Sequence, residues 1–107
     1  MTDPGILNRR LIVEEPVETP DGAGGVIRSF AAGATLWASV MPLSAREILD
    51  AAQLGMVLSH RIVVRAGPAL SVRHRLREGG RIFRIASVRP RDARETFLEI
   101  AAEERPQ

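Results

Sequence analysis

Apolar and polar residues alternate along most of the chain in short runs that glycine and proline interrupt, a period of two that belongs to strands rather than helices. Leu7-Asn8-Arg9-Arg10-Leu11-Ile12-Val13-Glu14 is the first run and is predicted to end at Pro16, which cannot donate to a ladder. Asp21-Gly22-Ala23-Gly24-Gly25 supplies the left-handed positions of a tight reversal, and Val26–Phe30 returns as the second arm of a hairpin. Thr35-Leu36-Trp37-Ala38-Ser39-Val40-Met41, stopped by Pro42, reads as a third strand with Trp37 in the core or at an interface.

The period then changes. Ser44 stands three residues before Glu47, the spacing of a capping box, and Ala45–Leu54 is rich in helix formers up to Gly55, so one helix is predicted there. Strands resume over Leu58–Arg65, Val72–Arg77, Ile82–Val88 and Thr96–Ala101, separated by Gly67-Pro68, Glu78-Gly79-Gly80 and Pro90–Arg94. About seven short strands and one helix make a mainly β chain. To bury its apolar face such a sheet must close or fold over, which predicts a small barrel or sandwich, closed or partly open, with residues 42–57 as an inserted helix and loop. Ends 1–5 and 103–107 are expected to be flexible in isolation.

A length of 107 residues with 45% apolar content suits one domain with a modest core. The longest apolar stretches fall far short of the ~20 residues of a membrane helix. The first residues lack the basic and apolar regions of a signal peptide, so synthesis in the cytoplasm is expected. There is no cysteine, which excludes disulfides and thiolate metal sites and leaves only His60 and His74 as imidazole ligands; no metal or other cofactor is expected. The net charge is only +2, yet all 15 basic residues are arginine. That composition suits interfaces as readily as nucleic acid, and GC-rich codon usage would also produce it.

Candidate chemistry is sparse. The glycine cluster at 22–25 is followed by a strand, not by the helix a phosphate loop requires, so it reads as a turn. Ser44, Ser59, His60, His74 and Asp50 form no spacing that marks a nucleophile and its base, and both histidines sit in arginine-rich strands where a structural role is expected; no catalytic residue is assigned and the chain is not read as an enzyme. Arg73, Arg75 and Arg77 alternate along one strand face, with Arg61, Arg65, Arg81 and Arg84 expected on neighbouring strands. Such a face could follow a phosphate backbone or meet the acidic surface of another subunit; with only Trp37, Phe30, Phe83 and Phe97 as aromatics, mostly at core-like positions, the subunit-facing reading is preferred. The helix either carries function or plugs one barrel end with Ile48, Leu49 and Ala52 as its buried stripe.

The order of the pieces is itself informative. Gly5-Ile6-Leu7-Asn8-Arg9-Arg10, Asp21-Gly22-Ala23-Gly24-Gly25, Leu36-Trp37-Ala38-Ser39-Val40-Met41-Pro42, Ser44-Ala45-Arg46-Glu47, His60-Arg61-Ile62-Val63-Val64-Arg65, Gly80-Arg81-Ile82-Phe83-Arg84-Ile85 and Leu98-Glu99-Ile100 with Glu103 follow one another over residues 5–103. This series resembles the phage head–tail joining family, the head-closure or stopper proteins of long-tailed phages and gene transfer agents. The chain departs from it at Ala66-Gly67-Pro68, where an aromatic is usual, and at Arg89-Pro90, where an aspartate is usual.

The resemblance implies a β-barrel subunit of a ring of six or twelve copies in the head–tail neck, assembled in the bacterial cytoplasm. Above it would sit the portal or adaptor and below it the tail terminator or tail tube, with packaged double-stranded DNA as a non-specific contact and no membrane partner. It further implies that Pro42–Val57 projects into the channel as a plug, giving Ser44, Arg46, Glu47, Ile48, Ala51, Leu54 and Met56 as channel candidates, with Arg46 against DNA phosphate. Arg61, Arg65, Arg73, Arg75 and Arg77 are the candidates for the ring interface or a DNA-facing wall, and Glu14, Glu15, Glu95, Glu99, Glu103 and Glu104 their acidic complements. An adaptor or tail terminator, and a nucleic-acid-binding barrel that acts alone, are the alternatives.

Overall fold

A computed structural model describes residues 7–67, 69–94 and 96–105. The stretch 1–5 expected to be flexible, Gly5-Ile6 of the opening motif and the candidate acid Glu95 lie outside the described residues. The elements are β1 (Arg9–Pro20), β2 (Val26–Pro42), α1 (Ala45–Gln53), β3 (His60–Arg65), β4 (Arg75–Glu78), β5 (Arg81–Pro90) and β6 (Phe97–Arg105). The six strands close in the order β1-β2-β3-β6-β5-β4, and every neighbouring pair is antiparallel. The mainly β barrel with one short helix read from the sequence is the fold observed. Its interior is filled by Leu11, Val13, Ala38, Ile62, Val64, Leu76, Phe83, Ile85, Ile100 and Ala102, one face of each strand.

The strand count is six because the predicted second and third strands are one 17-residue strand, β2, that runs through Ala31-Ala32-Gly33-Ala34. Those residues carry no strand signal of their own; pairing with β1 keeps them extended. Nor does Pro16 end β1, which continues to Pro20 with Pro16 opposite Phe30. The predicted start of a strand at Val72 is instead a turn: Ser71 Oγ accepts from Arg73 N and Ser71 O accepts from His74 N, so β4 begins only at Arg75. At the other end, residues 103–105, expected to be flexible, pair with β5 as the end of β6.

β1 and β2 outlast the barrel. β4 pairs with β1 only over Ile12–Glu14, and β3 pairs with β2 only over Ala38–Pro42, so among the described residues the hairpin beyond Glu14 and Ala32 has no third strand. Six residues from Glu14 to Pro20 at ~3.4 Å each carry this two-stranded arm about 20 Å outward, and the molecule measures 51 × 31 × 27 Å. The register between β1 and β2 shifts by one residue between Ile12 and Glu14, an irregularity at the base of the arm. Gly33 lies at this point with its backbone so close to the Val13 carbonyl that a β-carbon would stand 3.2 Å from it. At the tip Asp21 Oδ1 accepts from the N–H groups of Ala23 (2.7 Å) and Gly25 (3.0 Å), with Gly22 and Gly24 at φ 82° and 88°. The glycine cluster is a hairpin turn.

Candidate interaction surfaces

Three surfaces are built by this frame. The first is the barrel mouth where β1, β3 and β5 begin and β4 and β6 end. Inward-facing positions there are charged instead of apolar: Arg9 pairs with Glu78 through both its Nε and Nη2, Arg81 Nε donates to Glu104 at 2.8 Å, and His60 Nε2 stands 3.9 Å from Glu104. His60 meets the edge of Phe83 at 5.3 Å and Arg81 lies over its face at 5.0 Å, so the cluster rests directly on the largest core side chain. His60 Nδ1 is 2.8 Å from Ser59 Oγ, which also accepts from Glu104 N. The cluster is a polar lid, and its members come from positions too far apart in sequence to have been grouped by pattern.

Hydrogen bonds from Arg9 and Arg81 hold the carboxyls of Glu78 and Glu104 below the ordinary glutamate value, and loss of solvent holds the His60 imidazole below its ordinary value despite the attraction of Glu104. All three groups are depressed by folding, so each contributes stability above its unfolded value that is lost as pH falls through its folded one. Stability is therefore expected to be level above about pH 6.5, to start falling below it as His60 is protonated, and to fall further below pH 4.5 as the carboxylates are. Urea titrations between pH 8 and 3 check this; for His60→Gln the first decline is expected to vanish.

The second surface is the segment between β2 and β3. Ser44 caps α1, accepting from Glu47 N at 3.2 Å while its own N–H donates to Glu47 Oε1 at 3.2 Å, and Gly55 at φ 78° ends it with Met56 N donating to Ala51 O at 2.9 Å. The helix does not plug the barrel. Glu47 receives a charge-assisted bond from Arg61 on the outside of β3, and Arg61 also faces Glu99, which Arg89 joins at 2.8 Å. α1 is thereby tethered to the outer wall over a groove lined by Met56, Arg61, Arg89 and Glu99. Only Ala51 of the helix is buried; Ala52 is exposed, and so are Ile48, Leu49, Leu54 at 77%, Met56 and Val57. The stripe expected to face the barrel thus faces outward because a charged tether, not an apolar seam, attaches this helix. Arg46 is among the most exposed side chains of the segment, 4.0 Å from Asp50.

The third surface is the arginine wall. Arg75 and Arg77 converge on Glu14, which is nearly buried between them at 2.6 and 3.2 Å, and Arg75 also covers the Phe30 ring at 3.8 Å. Arg73 lies in the turn before β4, and Arg84 stands opposite Arg75 on β5. Neither Arg73 nor Arg84 has a carboxylate partner among the described residues. Arg61 and Arg65 do not join this wall. They belong to β3, which β6 and β5 separate from β4, and Arg65 stacks over Phe97 at 5.4 Å. Arg81 turns inward to the mouth. Sequence alternation put Arg73, Arg75 and Arg77 on one strand face; Arg73 lies instead in the turn before β4, and Glu14, 61 and 63 residues away from the other two, pairs with both of them. Arg84 does neighbour Arg75, as expected, while Phe30 and Trp37 are exposed beside Arg75 and Arg10 and do not occupy core-like positions. The acids Glu99, Glu103 and Glu104 likewise find arginines within the chain.

Among the described residues no group of three histidine, aspartate or glutamate side chains is placed to hold a metal, and no helix is long and apolar enough to cross a membrane. His74 Nδ1 accepts from Ser71 N at 3.1 Å, a turn contact.

Comparison with known proteins agrees with the geometry. The family described as phage head completion protein matches residues 2–105. A chain in the virion of a native gene transfer agent particle is 33% identical, with 94% of this chain and 96% of that chain covered and a TM-score of 0.64. The solution structure of protein SF1141 from Shigella flexneri 2a is 27% identical, with 96% of each chain covered and a TM-score of 0.77. No curated protein matches the sequence.

Proposed function

Since the chain belongs to the phage head completion protein family, we propose that it is a structural connector subunit in the neck of a tailed phage or gene transfer agent particle. In this reading, copies form a ring of six or twelve between the portal or adaptor and the tail terminator or tail tube, close the DNA channel and receive the tail. Its role is mechanical, not catalytic. The observation that carries the reading is the segment 42–57, which is tethered to the outer wall yet leaves Ile48, Leu49, Leu54, Met56 and Val57 exposed. Apolar groups displayed together on a tethered projection are suited to packing against their counterparts on other copies. In this reading Arg46, exposed at the start of the helix, meets DNA phosphate.

Deletion of this gene alone tests the proposal by electron microscopy of the particles. Tailless heads, many without DNA, are expected; normal tailed particles would overturn the connector role. Exposure of Trp37 and Phe30, each beside an arginine, supports a second reading in which the barrel binds nucleic acid by itself. That reading requires the purified chain to bind DNA with an affinity that falls steeply with salt.

A further inference from the structure

The arm is a surface that the fold leaves unsatisfied, and its two edges differ. Asp21 N donates to Gly25 O, so 21 and 25 are a hydrogen-bonded pair and, by alternation, Pro16–Phe30, Glu18–Arg28 and Pro20–Val26 are pairs whose backbone groups point away from each other. On the outer side of β1 two of those three positions are proline and offer no N–H, a device that blunts an edge. On the outer side of β2 the N–H groups of Val26, Arg28 and Phe30 are all present, with no strand beside them among the described residues. A two-stranded ribbon is marginal by itself in water, and this one also exposes Val17, Val26 and Ile27.

A counterpart exists elsewhere on the same molecule. Between the arm base and β5 runs a groove of about 540 Å³ lined by Val72, Arg73, Arg75, Ile82, Arg84 and Arg105, among others. Val72 is 60% exposed there, and none of the described residues that line the groove is a carboxylate to balance Arg73 and Arg84. The arm carries Glu15, Glu18 and Asp21 against Arg28 alone, three negative charges to one positive. One surface is acidic and β-branched, the other cationic with an apolar floor, and they are different regions of one chain. A ring joined head to tail needs two such unlike, complementary surfaces.

We propose that the β1–β2 arm of each copy lies in the arginine groove of the next copy around the ring. This rests on the ring reading above and adds its subunit contact. The absence of cysteine permits a direct test. Particles are assembled from a mixture of two chains, one carrying Glu18→Cys and the other Val72→Cys, both at exposed positions, and treated with a short bismaleimide. A covalent dimer is expected from the mixture and from neither variant alone, and adding Arg73→Glu and Arg84→Glu to the groove chain is expected to lower its yield roughly tenfold or more, the effect of a loss of about 1.4 kcal/mol. If the chain is incorporated but no mixed dimer forms, or if Val72→Cys is captured by a different neck protein, the arm-to-groove contact is wrong while the ring stands. Ultraviolet cross-linking of the groove to packaged DNA in place of the arm would also overturn it. Absence of the chain from purified particles would instead remove the ring reading.

Discussion

Replacing Ile48, Leu49, Leu54 and Met56 together by glutamine is expected to leave the barrel nearly as stable as before and, on the proposed connector role, to abolish head closure. These side chains are exposed and α1 buries only Ala51, so the fold gains little from them, and glutamine is a good helix former. Exposed substitutions of this kind cost within about 0.5 kcal/mol each. Packed against other copies, each apolar side chain would contribute about 1.5–3 kcal/mol. Four such losses come to about 6–12 kcal/mol per subunit. Calorimetry of the purified chain and counts of filled, tailed particles separate the two effects. A fall in melting temperature of 10 °C or so, equivalent to about 2 kcal/mol in a domain of this size, would mean that the stripe serves the fold. Unchanged particles would mean that the segment closes nothing.

Phe83→Ala is expected to destabilise the chain by about 3–5 kcal/mol, the cost of emptying a fully buried aromatic site. For a domain whose total stability is of order 5–15 kcal/mol this removes a large part of it. The loss is deeper than the cavity alone because His60 and Arg81 rest on the edge and face of this ring. Without it the polar lid loses its floor. Urea denaturation measures the change, and Phe83→Leu, which keeps most of the volume, is expected to recover more than half. A cost near 1 kcal/mol for the alanine variant would show that the mouth cluster, not the apolar interior, holds the barrel shut.

Local signals were the legible ones. The capping box of Ser44 and Glu47, the Gly55 stop and the Asp21–Gly25 turn are each decided within a few residues, and all three occur where the sequence puts them. The alternating runs likewise mark the core: Leu11 and Val13, Ile62 and Val64, Phe83 and Ile85 point inward as their period requires. What could not be read depends on partners distant in sequence. Pro16 continues a strand because its missing N–H happens to face outward, and Ala31–Ala34 are a strand only because β1 lies beside them. Helical periodicity showed that α1 has an apolar side without showing whether the barrel would cover it. The arginines posed the same problem, since alternation suggests which share a face and only the β1–β4 pairing reveals that Glu14 pairs with Arg75 and Arg77 and not with Arg73 or Arg84.

The pairing of β1 with β4 also bears on how the chain reaches its native state. The β1–β2 hairpin turns within five residues, and β4 and β5 are joined by Gly79-Gly80, so both can form as soon as their own segments collapse. Closure has to wait. Ile12–Glu14 must find Arg75–Arg77 across more than sixty residues, and only four residues of β4 are available to make the seam. The entropy of closing that long loop is lost before the interior is sealed, which places the seam late in folding and makes it the first part of the wall to open. With Glu14 held between two arginines across it, the seam is fastened by charge at its weakest point. The rate at which new copies become ready for a particle would then be set by this short fourth strand, not by the long hairpin.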